Sequence, residues 1–377
     1  PLYSSAASDV YKRQVFISVR PDGRTDRVHS GKGLSATDAH TGAAMEALEF
    51  AVSESASASA SCAVQHCSLG ELTGQWPESL GVVDFAPRLG VRLSPRARLP
   101  SVECEVLTTR RRVLLPAELV LWPSPPQRMP LLFGNSTNGL AAGNTLEEAT
   151  LHALLEVLER DTVALHMARD ESAALALTTM PDPFAGLAQT WRRRGVRLYV
   201  RHLPNALGLP CFQAGLHDPA QRDDAPALAF GWGIHFDRQI ALSRAVCEAA
   251  QSRLAVILSR RPGQPGATEM ASRLGVPPPP QHTARLLARL SSRGRRVRFE
   301  ALPSAEPRSI GVALNSLLSR LPEAGFGPAF RHRLHVDADA TRRLGLHVVK
   351  VVLARSETPV GAHPRIGPRL LARLQGG

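Results

Sequence analysis

Lysine is nearly missing from this chain of 377 residues, occurring only as Lys12, Lys32 and Lys350. The formal net charge of +12 therefore rests almost wholly on arginine, a bias that a GC-rich coding sequence produces without selection for binding. The arginines are scattered in runs such as Arg110 to Arg112 and Arg192 to Arg194, with no aromatics interleaved. Nucleic acid is accordingly not expected as a partner. A basic surface that attracts an acidic peptide or a nucleotide fits the charge better.

Aromatics make up only 5% of the chain, so Leu, Val and Ala must build the core. Cysteine is sparse too. Cys62, Cys67, Cys104, Cys211 and Cys247 are odd in number and form no CxxC pair, which argues against a disulfide framework and a structural zinc site. A cytoplasmic location is the expectation. No run of apolar residues is long enough to span a membrane, and no secretory leader is expected. Several signatures are also absent: GxxxxGK[ST], GxGxxG after a strand, HExxH and GxSxG. The "GKG" at 31–33 lacks the remainder of a P-loop, and "GWG" at 231–233 is too short for a dinucleotide fingerprint.

With 44% apolar residues the chain can bury a sizeable core. Residues 1–14 read as a cloning scar or a disordered tail and are set aside. Residues 15–377 read as a single domain. "VFISVR", "SVECEVLTT" with "RRVLLPAELVLW", "VRLYVRHL", "LPCFQAGLH", "ALAFGWGI" and "LHVVKVVLA" are strand candidates. Helices are expected after "GKG", over 144–167 and, following a strand and a turn, in the latter part of 227–261. The stretch 261–282 looks like a linker. Hairpins between loosely alternating strands and helices point to an α+β fold, mixed sheets with flanking helices.

Three helices carry the chemistry. At about 100° per residue, Leu151, Leu154, Leu155, Leu158 and Leu165 form one arc of the helix over 144–166. Glu148, His152, Glu156 and Glu159 fall in a neighbouring arc roughly 80° wide, with Asn144 one turn before Glu148. Like charges at this spacing repel, and a cation would remove the cost. The first helix sets Glu46 and Glu49 beside Met45, Leu48 and Val52. The third offers Arg244, Glu248 and Gln251 on one side. From pattern alone, three amphipathic helices with solvated acidic borders is the plainer reading. The sharper one is a nucleotide site between helices, with carboxylates on Mg2+ and with Arg244 and Lys32 on phosphate.

The same residues carry a resemblance. "GKGLSATDAHTGAAMEALE", "NGLAAGNTLEEATLHALLEVLERD" and "ALSRAVCEAAQSR" resemble, in order and spacing, the three nucleotide motifs of the YcaO family. The likeness runs from about residue 28 to 260 and continues more weakly to about 353. It implies a mixed α/β fold and a cytoplasmic, homodimeric enzyme that uses ATP and Mg2+ to activate a peptide backbone amide. The products of such enzymes are azolines, thioamides or amidines. Carried over by position, Glu46, Glu49, Glu148, Glu156 and Glu159 would hold metal. Lys32, Asn144, Arg244, Glu248, Gln251 and Arg253 would meet the nucleotide, with Arg244 and Arg253 in phosphate or structural contacts.

The sequence departs from the family at Gly42 and Ala141, where serine is usual, and at Phe50, where arginine is usual. These changes leave open a weakened site and a scaffolding role. The ending "RLLARLQGG" lacks the proline-alternating tail of ring-forming members. That absence favours the branch that makes thioamides with TfuA-type partners over azoline formation. With no evident leader-recognition module before the core, a separate partner is expected to recruit the peptide or protein substrate.

Overall fold

A computed structural model describes residues 3–6, 15–58, 63–77, 80–94, 96–127, 130–220, 227–261, 263–274, 280–292, 294–335, 343, 345–359 and 365–375. The strands are β1 (Tyr3–Ala6), β2 (Val15–Val19), β3 (Val28–Lys32), β4 (Gln65–Ser68), β5 (Arg98–Val106), β6 (Arg112–Pro116) and β7 (Leu140–Gly143). They continue with β8 (Ala173–Leu175), β9 (Arg197–His202), β10 (Cys211–His217), β11 (Leu228–Ile234), β12 (Arg296–Val297), β13 (Ala329–Arg333) and β14 (His347–Leu353). The helices are α1 (Ala36–Ala58), α2 (Leu69–Thr73), α3 (Ala117–Val120), α4 (Leu146–Ala168) and α5 (Phe184–Arg193). After them come α6 (Arg238–Ser259), α7 (Ala267–Leu274), α8 (Pro280–Ser291), α9 (Ile310–Arg320) and α10 (Pro368–Gln375). The expected α+β architecture is present. Among the described residues no helix is long and apolar enough to cross a membrane.

The chain forms two compact units. One comprises residues 1–47 and 171–306, the other residues 48–170 and 307–377. The first holds a three-stranded antiparallel sheet, β1-β2-β3, and a five-stranded sheet ordered β11-β10-β9-β8-β12. The second strand of that larger sheet shows why it forms. In β10, Phe212, Ala214 and Leu216 alternate onto the buried face, where they meet Trp191 and Phe184. Helix α6 starts at Asp237, whose Oδ1 accepts from the N–H groups of Gln239 and Ile240 at 2.6 and 2.9 Å. It then lies on β11 through Ala241, Ala245 and Ala249. Gly231 and Gly233 face these alanines because no other residue leaves room for the helix backbone.

The second unit is built on a sheet ordered β4-β5-β13-β14-β7, with β6 paired to β5. Its core gathers Trp76, Phe85, Leu99, Leu115, Phe133 and Phe330. Helix α4 covers β7 and β14. Its first turn is capped by Thr145, whose hydroxyl accepts from Glu148 N–H at 3.1 Å. The carboxylate of Glu148 reaches back to the N–H of Asn144 at 2.9 Å. At the end of the chain Glu357 is fully buried and its carboxylate accepts from the N–H groups of Gly367, Arg369 and Leu370, which tethers α10.

Some elements differ from expectation. Val28–Lys32, which takes in the start of "GKG", is a strand absent from the candidates, because "VHSGK" has no run of β-branched residues. The run "RRVLLPAELVLW" is a strand only to Pro116, where proline has no N–H to continue the ladder, and it turns helical at α3. The expected linker holds α7, whose Ala267 and Met270 pack with Ile17 and Val28. Residues 262 and 275–279 of that stretch lie outside the described residues. Strand β1 falls within the segment set aside as a tail, pairing with β2, while residues 7–14 lie outside the described residues.

Candidate functional site

In the first unit, strand β3 draws two of the sequence motifs together. Ser30 N–H donates to Glu46 Oε2 at 3.0 Å. The same residue's carbonyl accepts from the Gln251 amide. Two positions on, Lys32 Nζ donates to Glu248 Oε2 at 2.5 Å, with both side chains only partly exposed. The close fit of α1 on β3 allows this, since a Cβ on Gly31 would lie 1.8 Å from the Ala39 carbonyl oxygen. Arg273 approaches the other oxygen of Glu46 at 3.3 Å. Arg244, one turn before Glu248 on α6, has a buried Nε with no hydrogen-bond partner. Arg253 is buried, and its Nη2 donates to Asp218 Oδ2 at 2.9 Å.

In the second unit β7 takes the part of β3. Ala142 N–H donates to Glu49 Oε1 at 2.8 Å, which brings the second glutamate of α1 to the strand that leads into Asn144 and Glu148. Glu156 and Glu159 follow on α4. The reading of a solvated acidic border fails for this helix, because Glu159 is 2% exposed and Glu156 half-buried, while Glu147 and His152 face solvent. Buried Asp161 is answered by Arg369 at 2.5 Å, a partner 208 residues away that no local pattern reveals.

The donors are hard carboxylate oxygens, several oriented by backbone N–H groups. Among the described residues no three His, Cys, Asp or Glu side chains form a complete metal shell. Mg2+ does not need one, since it takes one or two carboxylates and fills the rest with phosphate oxygens and water. The orphaned Arg244 Nε is a donor suited to an anion. On these grounds the residues fit ATP and Mg2+.

The three departures occupy packed positions. A Cβ on Gly42 would stand 3.3 Å from Gly31 Cα. Phe50 and Ala141 are buried at 4% and 1% exposure. Gly42 therefore serves the approach of α1 to β3.

A group that sequence reasoning missed lies around Lys350. This lysine is 2% exposed in the middle of apolar β14, and its Nζ donates to the Ser136 carbonyl at 2.6 Å. Burial pulls its pKa down to about 7 against the favourable charge of Glu156. Nearby Glu118 is pushed up to about 7 by burial, opposed by the Leu132 and Phe133 N–H groups and by Arg365 and Arg88. The signal was available: one of three lysines in the chain stands inside "HVVKVVL".

Glu118 gives a pH prediction. Its folded pKa lies above the ordinary value, so the folded state holds the proton more tightly, and the resulting stability is lost as pH rises through about 7. Glu118→Gln cannot ionise. Its melting temperature relative to the parent chain should climb between about pH 4.5 and 7 and level off above that. Thermal melts across that range check it, and a pH-independent difference would refute the burial of this carboxyl.

A family model described as YcaO cyclodehydratase, ATP- and Mg2+-binding, matches residues 30–356. The chain belongs to the YcaO family. It is 31% identical over 370 residues to an uncharacterized protein of Methanothermobacter thermautotrophicus, covering 96% of this chain and 90% of that one. Over 265 residues it is 31% identical to a Rhizobium leguminosarum bv. trifolii protein named for its position in the tfuA 3′ region, covering 68% of this chain and 61% of that one. Among solved structures, a YcaO protein from Methanopyrus kandleri bound with AMPPCP and Mg2+ superposes with a TM-score of 0.68 at 25% identity, covering 94% of this chain and 86% of that one. This chain also spans 52% of a solved heterocyclase of the same fold (TM-score 0.76, 20% identity, 99% of this chain). YcaO proteins form an ATP- and Mg2+-binding family of cyclodehydratase type.

Proposed function

We propose that this chain activates a peptide backbone amide by ATP-dependent phosphorylation of its oxygen, and that the activation leads to a thioamide. Glu46 with Glu49, and Glu148 with Glu156 and Glu159, are the proposed metal carboxylates. Lys32, Asn144, Arg244, Glu248 and Gln251 are the proposed nucleotide contacts. Arg253 supports α6 from beneath through Asp218. Bound Mg2+ would neutralise phosphate charge and orient the γ-phosphoryl group.

The observation that carries this reading is the meeting of Glu46, Glu248, Gln251 and Lys32 on β3, residues from two motifs about 200 positions apart, beside an arginine donor with no partner. Lys32 would exchange Glu248 for a phosphate oxygen. In the thioamide reaction, hydrosulfide forms the new C–S bond while the carbonyl π pair moves to oxygen. That oxygen bonds to γ-phosphorus as ADP departs. Phosphate then leaves the carbon as the S–H proton is lost, giving C=S, ADP and inorganic phosphate.

The thioamide branch is supported by the rhizobial relative in the tfuA 3′ region. Calorimetry with ATP and Mg2+ is expected to give saturable heat. Phosphate release should then require a precursor peptide, sulfide and a TfuA-type partner. An absence of heat would leave only a scaffold, and release with peptide but without sulfide or partner would favour an azoline-forming cyclodehydratase.

A further inference from the structure

The second unit holds a cavity of about 40 Å3 whose walls include Phe85, Glu118, Asn138, Val157, Lys350 and Arg365. By volume it accepts about three water-sized groups, the size of the O=C–N unit of one amide. Two of its polar atoms, Glu118 Oε2 and Asn138 Oδ1, are buried without a hydrogen-bond partner. The ammonium of Lys350 gives one proton to the Ser136 carbonyl and has two more. Gly139, at φ +81°, lets the loop carrying Asn138 sit against β14, where a Cβ would lie 2.3 Å from the Val351 carbonyl oxygen.

The chemistry of the walls restricts the occupant. Orphan acceptors ask for an N–H or O–H donor, so a small anion leaves them unsatisfied. Lys350 and Arg365 repel a cation. A neutral group that presents a donor and an acceptor on neighbouring atoms satisfies both sides.

We infer that this cavity receives the backbone amide to be modified, its oxygen on Lys350 Nζ and its N–H on Asn138 Oδ1 or Glu118 Oε2. The inference rests on the proposed function for the identity of that amide. Lys350 has Glu156, one of the proposed metal carboxylates, as its favourable charge. When a nucleophile's lone pair bonds to the amide carbon, the π pair moves to oxygen, and a fixed ammonium stabilises the charge that develops there.

The test uses the full chain and two probes, N-methylacetamide and N,N-dimethylacetamide, titrated by saturation-transfer NMR. N-methylacetamide should bind, and the dimethyl compound, which lacks the N–H, should bind about tenfold more weakly, the worth of one hydrogen bond. Lys350→Met and Asn138→Leu should each weaken N-methylacetamide by about the same factor. Equal binding of the two probes, or none by N-methylacetamide, would mean a cavity that holds only water and would overturn the inference. Should a variant fail to fold, the probe pair on the unmodified chain still decides. Calorimetry with ATP and Mg2+ on the same samples separates the two readings. Nucleotide heat without amide discrimination sinks the amide cavity alone, and the reverse pattern sinks the nucleotide reading alone.

Discussion

Glu156→Gln and Glu159→Gln should each lower peptide-dependent phosphate release by about 100-fold or more, the scale expected when a metal site loses a ligand or its orienting support. The exchange keeps shape and volume, so packing around α4 is preserved. Glu159 is nearly solvent-free and has Arg160 Nε 4.0 Å from its carboxylate, while Glu156 supplies the favourable charge on Lys350. The expected signature is lost turnover with a cooperative thermal transition retained. A ligand readout complements it. AMPPCP with Mg2+ at about 100 times its dissociation constant should stabilise the parent chain by about 2.7 kcal/mol, and the two variants by far less. Parental phosphate release from both variants would refute the metal assignment of α4.

Gly231→Val is expected to have the largest effect on folding. A Cβ at this position falls 2.2 Å from the Ala249 nitrogen and 2.4 Å from the Ala245 carbonyl oxygen. Both contacts are helix backbone, which cannot rotate away as a side chain can. Overpacking in a core usually costs about 1–3 kcal/mol, and a clash against a helix axis belongs at or beyond the upper end. Urea denaturation should show a loss of at least about 3 kcal/mol or no cooperative transition at all. Gly186→Ala is the matching control, since a Cβ there meets nothing within 4 Å and the position lies inside α5. It should gain about 0.5–1 kcal/mol from helix propensity. Similar stabilities for the two variants would overturn the packing role given to Gly231.

These two positions mark where the sequence could be read and where it could not. Glu156 and Glu159 were visible because helical periodicity set them in one stripe, and the motif resemblance gave the stripe a meaning. Gly231 was seen only as half of an incomplete dinucleotide fingerprint. The need for it comes from the partner helix, which β11 does not encode. The same holds for Ser30, whose backbone joins Glu46 to Gln251 and which no side-chain pattern could select. Asp161 looked like one more acid in a crowded helix, because Arg369 answers it from the far end of the chain. Long-range partnership accounts equally for Glu118, Asn138 and Lys350, three residues from separate elements with no common spacing. Local chemistry was legible in capping residues such as Thr145 and in alternating strands such as β10. The strand at Val28–Lys32 was not, because its burial depends on α1 and not on its own composition.

At Gly231 and Gly233 the main chain of α6 comes up directly against that of β11. The stations of Glu248 and Gln251 are thus insulated from whichever aliphatic residues fill the remaining interior. Over evolutionary time the hydrophobic filling can be exchanged piece by piece while these two proposed nucleotide contacts keep their address.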